Sequence, residues 1–350
     1  MTHPTRSRPA HHKADGGFCN PWPNAAPHGY RDLLRWVVER RRKPRSPNQP
    51  PGTFPLATPS FAAQPRAGEL SATWIGQSTV LLQLEGVNVL TDPVFSDRAS
   101  PVQFAGPRRV VPPAVALEAL PAIDLVLISH NHYDHLDRAS VERLAKRHPN
   151  AEWRTPLGLA ALVRRWGAPR VRQLDWWEEE TLTMRAGSRL RVGCTPSQHF
   201  SARGLGDRDR TLWCGWALLG REHRVFFAGD TGYHPEFTNI AERWGPFDIV
   251  MLPVGAYEPR WFMGPVHMNP EDAIRAYQDL TAVAPSNGRA PAMLPVHWGT
   301  FRLTDEAMEE PPMRTRQRWC VAGLEPEGLW LLAHGETRGM PRGGGVKGRS

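Results

Sequence analysis

The run Ser129–Asp137, with the sequence SHNHYDHLD, constrains this chain more than any other stretch. Three histidines and an aspartate fall within six of its residues, directly after the apolar segment 123–128, which has the β-branched composition of a short buried strand. Imidazoles and a carboxylate packed together are unfavourable as core, because each must be paired or lose its charge. A divalent cation satisfies all four at once. The motif therefore predicts a metal site rather than a solvated histidine-rich loop.

Three further candidate ligands occupy the same kind of position. His199, Asp230 and His297 each follow an apolar segment that is typical of a strand. A single aspartate after a strand is often only a turn former, but the strand ends of a layered α/β fold meet at one edge, where ligand sites form. The resulting seven nitrogen and oxygen ligands, with no thiolate, exceed what one tetrahedral zinc ion needs. The set predicts two metal ions bridged by a carboxylate and a hydroxide, with zinc favoured and iron or manganese also compatible.

The distribution of charge argues against nucleic acid as a partner. The formal net charge is +8, but residues 1–50 hold ten lysines and arginines against three acids, and residues 338–350 hold four basic residues and no acid. The segment between them is slightly acidic, so no nucleic-acid groove is predicted in the body of the fold. The basic ends can be attracted to anionic lipid or to another polyanion.

Other features of the sequence predict a cytoplasmic protein, with peripheral association at the inner membrane surface as a further expectation. The chain has no apolar window long enough to cross a bilayer, and its N-terminus lacks the apolar core of a signal peptide. Its four cysteines are scattered and form no CxxC pattern, as is usual for free thiols in a reducing compartment.

Composition divides the chain into three parts. Residues 1–65 are predicted to be a basic, proline-rich arm that is partly disordered, residues 66–336 the folded domain that carries the candidate ligands, and residues 337–350 a disordered basic tail. Within the arm, residues 30–42 have the periodicity of an amphipathic helix. Two interpretations of this helix stay open, a surface helix docked on the domain and a basic helix lying on anionic lipid. Segment 281–292 is predicted to be a surface loop.

The motifs together resemble a known superfamily. HNHYDH is similar to the HxHxDH signature of the metallo-β-lactamase fold, and the segments 229–232 (GDTG) and 296–300 (VHWGT) resemble its downstream motifs. Finer blocks resemble the N-acyl-phosphatidylethanolamine-hydrolysing phospholipase D family, namely TWIGQST at 73–79, LTDPVFS at 90–96 and GAYEPRWFM at 255–263. The resemblance covers roughly residues 71–313 and implies an α/β fold, the four-layer αββα sandwich, with metals at one sheet edge.

The resemblance also implies two zinc ions in each chain. One ion would be held by His130, His132 and His199, the second by Asp134, His135 and His297, and Asp230 would bridge them.

Substrate contacts are implied at Tyr133, Tyr257, Arg260 and His267, and His267 and Asp134 are expected to be catalytic. Several of these positions have an alternative explanation. His267 can simply cap or pack against a helix start, Tyr133 can be a spacer whose ring packs beneath the loop, and Arg260 can pair with Glu258 instead of meeting a phosphate.

The ligands predict the chemistry but do not select the substrate. Two zinc ions bring the pKa of a bridging water from about 15.7 to about 7 or below, which supplies hydroxide at neutral pH. The family resemblance implies a phospholipase D reaction on a phospholipid, releasing phosphatidate and an N-acylethanolamine, and it also implies a homodimer.

Two alternatives stay open. One is a hydrolase of the same fold that acts on a lactone, a lactam or a soluble phosphodiester, and the other is a non-catalytic, metal-binding regulatory protein. A deep apolar pocket flanked by Trp261 and Phe262 would favour the lipid substrate, and a short polar pocket would favour the first alternative.

Overall fold

The computed structural model of the protein describes residues 8–42, 53–204, 206–283 and 290–340. Its strands are β1 Leu70–Gly76, β2 Thr79–Leu84, β3 Val87–Thr91, β4 Leu125–Leu127, β5 Glu152–Pro156, β6 Arg170–Leu174, β7 Glu179–Thr183, β8 Arg189–Thr195, β9 Gly215–Leu219, β10 Arg224–Phe227, β11 Ile249–Pro253, β12 Ala292–Val296 and β13 Thr337–Gly339. Its helices are α1 Tyr30–Arg42, α2 Arg138–Arg147, α3 Ala160–Arg165, α4 Glu236–Trp244, α5 Arg260–Met263, α6 Pro270–Leu280 and α7 Glu310–Val321.

The strands form two mixed sheets. The first has the order β13–β1–β2–β3–β4–β5–β6 and the second the order β12–β11–β10–β9–β8–β7. Strand β2 shows how the layers are held together. Its residues Val80 and Leu82 belong to the apolar cluster shared with the second sheet, whereas Leu81 belongs to the cluster formed with α2 and α3. Successive side chains of a strand point to opposite faces, so one strand serves both layers.

Helices cover the outer faces of both sheets. Residues of α2 and α3 pack on the first sheet, and residues of α4 and α6 pack on the second. The predicted four-layer αββα sandwich is therefore confirmed. Helix α6 begins with a capping box, in which the Asn269 side chain accepts a hydrogen bond from the backbone N–H of Asp272 and the Asp272 carboxylate accepts one from the backbone N–H of Asn269.

Strand direction brings the predicted ligand segments to one edge. Strands β10, β11 and β12 run parallel, as do β3, β4 and β5. Strand β8 runs in the same direction as β10, because both are antiparallel to β9. Each segment with a predicted ligand comes after the C-terminal end of β4, β8, β10 or β12.

The structure places parts of the predicted arm and tail on the domain. Residues 8–27 of the arm lie on the domain, where Phe18 is buried and the Nε2 atoms of His11 and His12 lie 2.7 and 2.8 Å from the carboxylate of Asp175. Strand β13 pairs with β1, so the ordered domain extends beyond the predicted limit at residue 336.

The rest of the predicted arm and tail, residues 1–7, 43–52 and 341–350, lies outside the described residues, as do residues 284–289 of the predicted loop. Over the part of the chain that is described, no helix combines the length and apolar character needed to span a bilayer.

Candidate functional site

Three histidines form a first close group. His132 Nδ1 lies 3.0 Å from His130 Nε2 and 3.2 Å from His199 Nε2. In a tetrahedral site with zinc–nitrogen bonds of about 2.0–2.1 Å, ligand atoms lie about 3.3 Å from one another. The three nitrogens are therefore spaced as ligands of a single ion would be.

A second group lies beside the first. His135 Nε2 is 3.3 Å from Asp134 Oδ2 and 3.0 Å from Asp230 Oδ2, and His297 Nε2 is 3.1 Å from each of the same two oxygens. Asp230 Oδ2 also lies 3.9 Å from His130 Nε2. The structure thus brings all seven predicted ligands together and puts the Asp230 carboxylate between the two groups.

A buried atom without a partner indicates that a cation fits this cluster. Asp230 Oδ1 is buried and has no hydrogen-bond partner among the described residues. An unsatisfied buried polar atom costs about 1–3 kcal/mol, and a bond to a metal ion would offset that cost. The imidazole and carboxylate donors are also the types that a zinc, iron or manganese ion accepts.

The two groups differ in their electrostatics. In the first, burial lowers the pKa of His132 to about 3 and that of His199 to about 4, so both imidazoles are neutral and offer a lone pair at neutral pH. In the second, burial opposes protonation, but the Asp230 carboxylate raises the pKa of His297 to about 9, and Asp230 and Asp134 hold that of His135 well above its ordinary value. A cation bound there would take the place of these protons.

Asp92 supports both groups, and the sequence reasoning did not identify it as a site residue. Its Oδ1 accepts a hydrogen bond from the backbone N–H of Ser129 (2.7 Å), and its Oδ2 accepts from Ser129 Oγ (2.5 Å) and His135 Nδ1 (2.7 Å). Ser129 Oγ also lies 2.9 Å from His130 Nδ1. Asp92 therefore orients one imidazole of each group. The available signal was its position directly after β3, at the edge where β4 ends.

Gln77 supports the second group from the turn between β1 and β2. Its side-chain Nε2 donates to Asp134 Oδ2 at 2.9 Å, and its backbone carbonyl accepts the N–H of His297 at 3.1 Å. Gln77 has a left-handed backbone, with φ of 53°. This conformation is uncommon for a residue other than glycine and is often retained at functional sites.

A cavity of about 330 Å³ opens above the cluster. His132, Asp134, Asp230 and His267 contribute to its polar part. Its remaining lining is mainly apolar and includes Leu33, Trp36, Phe200, Phe262, Met263 and Leu303. Residues 27–36, which belong to the predicted arm, therefore contribute to the wall of this cavity together with α5.

His267 lies where the resemblance places it, next to the cluster. Its Nδ1 is 4.0 Å from Asp230 Oδ2 and has no hydrogen-bond partner among the described residues. Burial lowers the pKa of His267 well below its ordinary value, so the ring is neutral. A neutral imidazole carries one N–H donor and one acceptor, and the His267 ring contributes to the lining of the cavity.

The other three predicted substrate contacts do not line the cavity. The Tyr133 hydroxyl donates to the carbonyl of Arg203 (3.0 Å), and the Tyr257 hydroxyl donates to Glu310 (2.8 Å). The alternative explanation for Arg260 was a pair with the Glu258 carboxylate. Its guanidinium does pair with a carboxylate, but the partner is Asp272 at 2.6 Å.

Each of these polar groups is partly or fully buried and is satisfied by a partner within the domain. Arg260 also donates to the carbonyl of His267 at 2.8 Å, so it supports that histidine. Trp261 is likewise absent from the cavity lining and packs under the guanidinium of Arg35.

The chain is similar to known proteins in sequence and in fold. Residues 87–298 match the family model described as the beta-lactamase superfamily domain. An uncharacterized protein of Mycobacterium tuberculosis is 43% identical over 315 residues, which is 89% of this chain and 79% of that protein. The N-acyl-phosphatidylethanolamine-hydrolyzing phospholipase D 1 of Caenorhabditis elegans is 43% identical over 249 residues, which is 69% of this chain and 67% of that protein. Among solved structures, an isothiocyanate hydrolase from Delia radicum gut bacteria superposes with a TM-score of 0.60 at 25% identity, covering 78% of this chain and 99% of its own.

Proposed function

The chain belongs to the beta-lactamase superfamily and, within it, to the N-acyl-phosphatidylethanolamine-hydrolysing phospholipase D-like family, and from this premise we propose that it is a two-zinc phosphodiesterase that converts N-acyl-phosphatidylethanolamine to phosphatidate and an N-acylethanolamine. A metal-dependent hydrolase follows from the family itself. The proposal adds the number of zinc ions and the lipid substrate. It is carried by one observation, the convergence of seven histidine and aspartate side chains beneath a cavity with apolar walls.

The ligand assignment follows the two groups. His130, His132 and His199 would hold one ion, and Asp134, His135 and His297 the other, with Asp230 shared between them. When bound, two zinc ions supply hydroxide at neutral pH and stabilise negative charge on phosphoryl oxygens.

His267 is the residue that we assign to the reacting part of the substrate. Its neutral ring faces the cavity beside Asp230, and Arg260 fixes its backbone carbonyl. The His267 N–H can donate a hydrogen bond to a phosphodiester oxygen, which orients the scissile bond over the cluster. The ring contributes through this hydrogen bond rather than through a fixed positive charge.

The apolar cavity wall supports a lipid rather than a small polar substrate. Trp36 of α1 stacks on Phe262 of α5 with ring centroids 5.2 Å apart, and both side chains line the cavity. Apolar groups are stabilised by about 25 cal/mol for each Å² removed from water. An acyl chain can therefore gain binding free energy against this wall, whereas a short polar substrate cannot.

Helix α1 supports peripheral binding to a membrane. Leu34 and Val38 are exposed on its outer side, and its last turn carries the arginines 40–42. Apolar side chains next to a basic cluster are typical of a helix that lies on anionic lipid. We propose that this side of the protein meets the inner membrane surface and that substrate enters beside α1.

Substitution of the outer face of α1 tests this membrane proposal. The double variant Leu34→Asp/Val38→Asp should reduce sedimentation with anionic vesicles and leave turnover of a short-chain, soluble phosphodiester unchanged. Val321→Asp on α7 is a matched control, because Val321 is also highly exposed. Equal vesicle binding by the double variant and the control would remove α1 from the proposed contact.

A second candidate is hydrolysis at a carbon centre. The solved relative with a TM-score of 0.60 is named an isothiocyanate hydrolase. A metal-activated hydroxide can attack either kind of electrophile, so the ligand set does not separate the two reactions.

Metal analysis with product analysis tests the proposed function. The purified protein should contain close to two zinc ions and should release phosphatidate and N-acylethanolamine from N-acyl-phosphatidylethanolamine, with little turnover of a lactone and isothiocyanate panel. Asp134→Asn should lose most activity, which also separates an enzyme from a non-catalytic metal-binding protein. Preferential turnover of the carbon-centred panel, or protein without transition metal even after zinc supplementation, would overturn the proposal.

A further inference from the structure

Asn20, in the segment preceding α1, hydrogen-bonds to the backbone of a candidate ligand. Its Nδ2 donates to the carbonyl of His199 at 2.9 Å, and its Oδ1 accepts from the His199 N–H at 3.3 Å. Nδ2 also donates to the carbonyl of Ala25 (2.7 Å), and Oδ1 also accepts from Trp213 Nε1 (3.1 Å). These bonds use both donors and both acceptor positions of the amide. The Asn20 side chain is thus fully committed to fixed partners.

His199 needs support of this kind because of its place in the chain. It lies beyond the end of β8, where the regular strand pairing has stopped. Its ring Nδ1 lies 2.9 Å from the carbonyl of Val266, which directs Nε2 towards His132. The Val266 contact fixes the ring, and the Asn20 amide fixes the backbone from which the ring projects.

Asn20 can act in this way because its own segment is anchored on the domain. Upstream of it, His11 and His12 are hydrogen-bonded to the carboxylate of Asp175. Downstream, the Trp22 ring stacks on the buried ring of His234 with centroids 4.8 Å apart. Anchors on both sides restrict the movement of the Asn20 amide. A side chain can position another group only if it is itself held in place.

We infer that Asn20 is a positioning residue for His199, which makes the N-terminal segment part of the metal centre rather than an accessory arm. The inference rests on the proposed metal ligands. Asn20 touches neither substrate nor metal in this scheme. It acts by holding the His199 imidazole at the distance that the first group requires.

The test compares three variants with the wild-type protein. Asn20→Ala removes all four hydrogen bonds, and Asn20→Asp keeps the acceptor but loses both donors. Lys13→Ala is the matched control, because Lys13 also attaches this segment to the domain, through Asp209 at 3.0 Å. Each zinc-loaded protein is titrated with a chelator, and the two zinc equivalents are followed separately. Amide hydrogen exchange over residues 197–200 is measured on the same samples.

Asn20→Ala should weaken retention of one zinc equivalent by roughly ten- to a hundred-fold, the usual effect of removing a group that orients a ligand. The other equivalent should be retained as in the wild type, and exchange over residues 197–200 should accelerate. Asn20→Asp should weaken retention of the same zinc equivalent at least as much as Asn20→Ala, because its second carboxylate oxygen would face the carbonyl oxygens of Ala25 and His199. Lys13→Ala should match the wild type in both measurements.

Several outcomes would overturn the inference. Unchanged zinc retention and unchanged exchange in Asn20→Ala would show that the amide does not hold His199. An equal loss of both zinc equivalents, shared by Lys13→Ala, would show that Asn20 only helps to attach the segment. If the wild-type protein itself bound no zinc, the proposed function would fail, and hydrogen exchange would still decide whether Asn20 fixes the His199 backbone.

Discussion

Replacing Asp92 by asparagine should weaken metal binding, because no orientation of an amide can replace the carboxylate. Both oxygens of Asp92 accept hydrogen bonds, Oδ1 from the backbone N–H of Ser129 and Oδ2 from Ser129 Oγ and His135 Nδ1. In asparagine, one of these positions becomes an NH₂ group. The amide must therefore direct a donor either at the Ser129 N–H or at the Nδ1–H of His135. In the second case His135 relieves the contact only by moving its proton to Nε2, the nitrogen that a metal needs.

The size of the effect follows from the burial of the site. Asp92 is fully buried, so the mismatched contact costs about 1–3 kcal/mol. At about 1.4 kcal/mol for each factor of ten, this corresponds to a loss of roughly ten- to a hundred-fold in zinc affinity. Zinc retention against a chelator measures this affinity, and steady-state kinetics with N-acyl-phosphatidylethanolamine should show a fall in kcat.

Asp124→Asn provides the matched control. Asp124 is also a buried carboxylate, but it lies before β4, at the end opposite the cluster, where it accepts a hydrogen bond from the backbone N–H of Asn88. This variant should lower stability without changing zinc affinity. If Asp92→Asn retained two zinc ions with wild-type affinity, or if Asp124→Asn lost zinc to the same extent, the role assigned to Asp92 would be wrong.

Three further predictions follow from the same structure. Arg260→Met should lower the free energy of unfolding by about 1 kcal/mol, since the pair with Asp272 is partly exposed and screened. It should also lower kcat with little change in KM, because Arg260 holds the carbonyl of His267, whereas a large rise in KM with kcat unchanged would return Arg260 to the substrate. The Asp248 carboxylate, 3.5 Å from His223 Nδ1, raises the pKa of His223 from its ordinary value of 6.5. The stability lost in His223→Gln should therefore be greatest below about pH 6.5 and should shrink as the pH rises through the raised pKa, which urea unfolding at a series of pH values measures. Chelation should abolish activity and lower Tm by several degrees, because a tightly bound ion stabilises only the folded state. Added zinc should restore both activity and Tm. An unchanged Tm in calorimetry would contradict a structural contribution from the metal.

The ligand set could be predicted from the sequence because its chemistry is unusual. Histidine and aspartate directly after buried strands have few structural explanations, and the C-terminal ends of parallel strands meet at one edge. All seven residues accordingly lie in one cluster. Arg260 and Tyr257 were harder to place, because a polar residue near a site has many potential partners. The partner of Arg260 is Asp272, which belongs to a different helix, and the partner of Tyr257 is Glu310, which is distant in the sequence.

The supporting residues could not be predicted, because their roles depend on long-range geometry. Asp92 and His135 are hydrogen-bonded although they are 43 positions apart, and Asn20 and the His199 backbone although they are 179 apart. The N-terminal segment also has the polar, proline-rich composition that favours disorder. A few anchors, such as Phe18 and Trp22, hold this segment on the domain. They contribute too little to the average composition for it to predict their effect.

Helix α1 shows why two explanations of one sequence pattern need not exclude each other. Its periodicity is compatible with docking on the domain and with lying on lipid. The structure confirms the docked face, because Trp36 is buried against Phe262 and donates through Nε1 to Asp305 at 2.8 Å. Docking leaves Leu34 and Val38 exposed on the other side, so the apolar residues of this helix serve two surfaces at once. Under the proposed function, a helix that lines the cavity with one face and presents apolar groups outward with the other is suited to passing a lipid from a membrane into the site. Binding to lipid would then not require α1 to leave the domain.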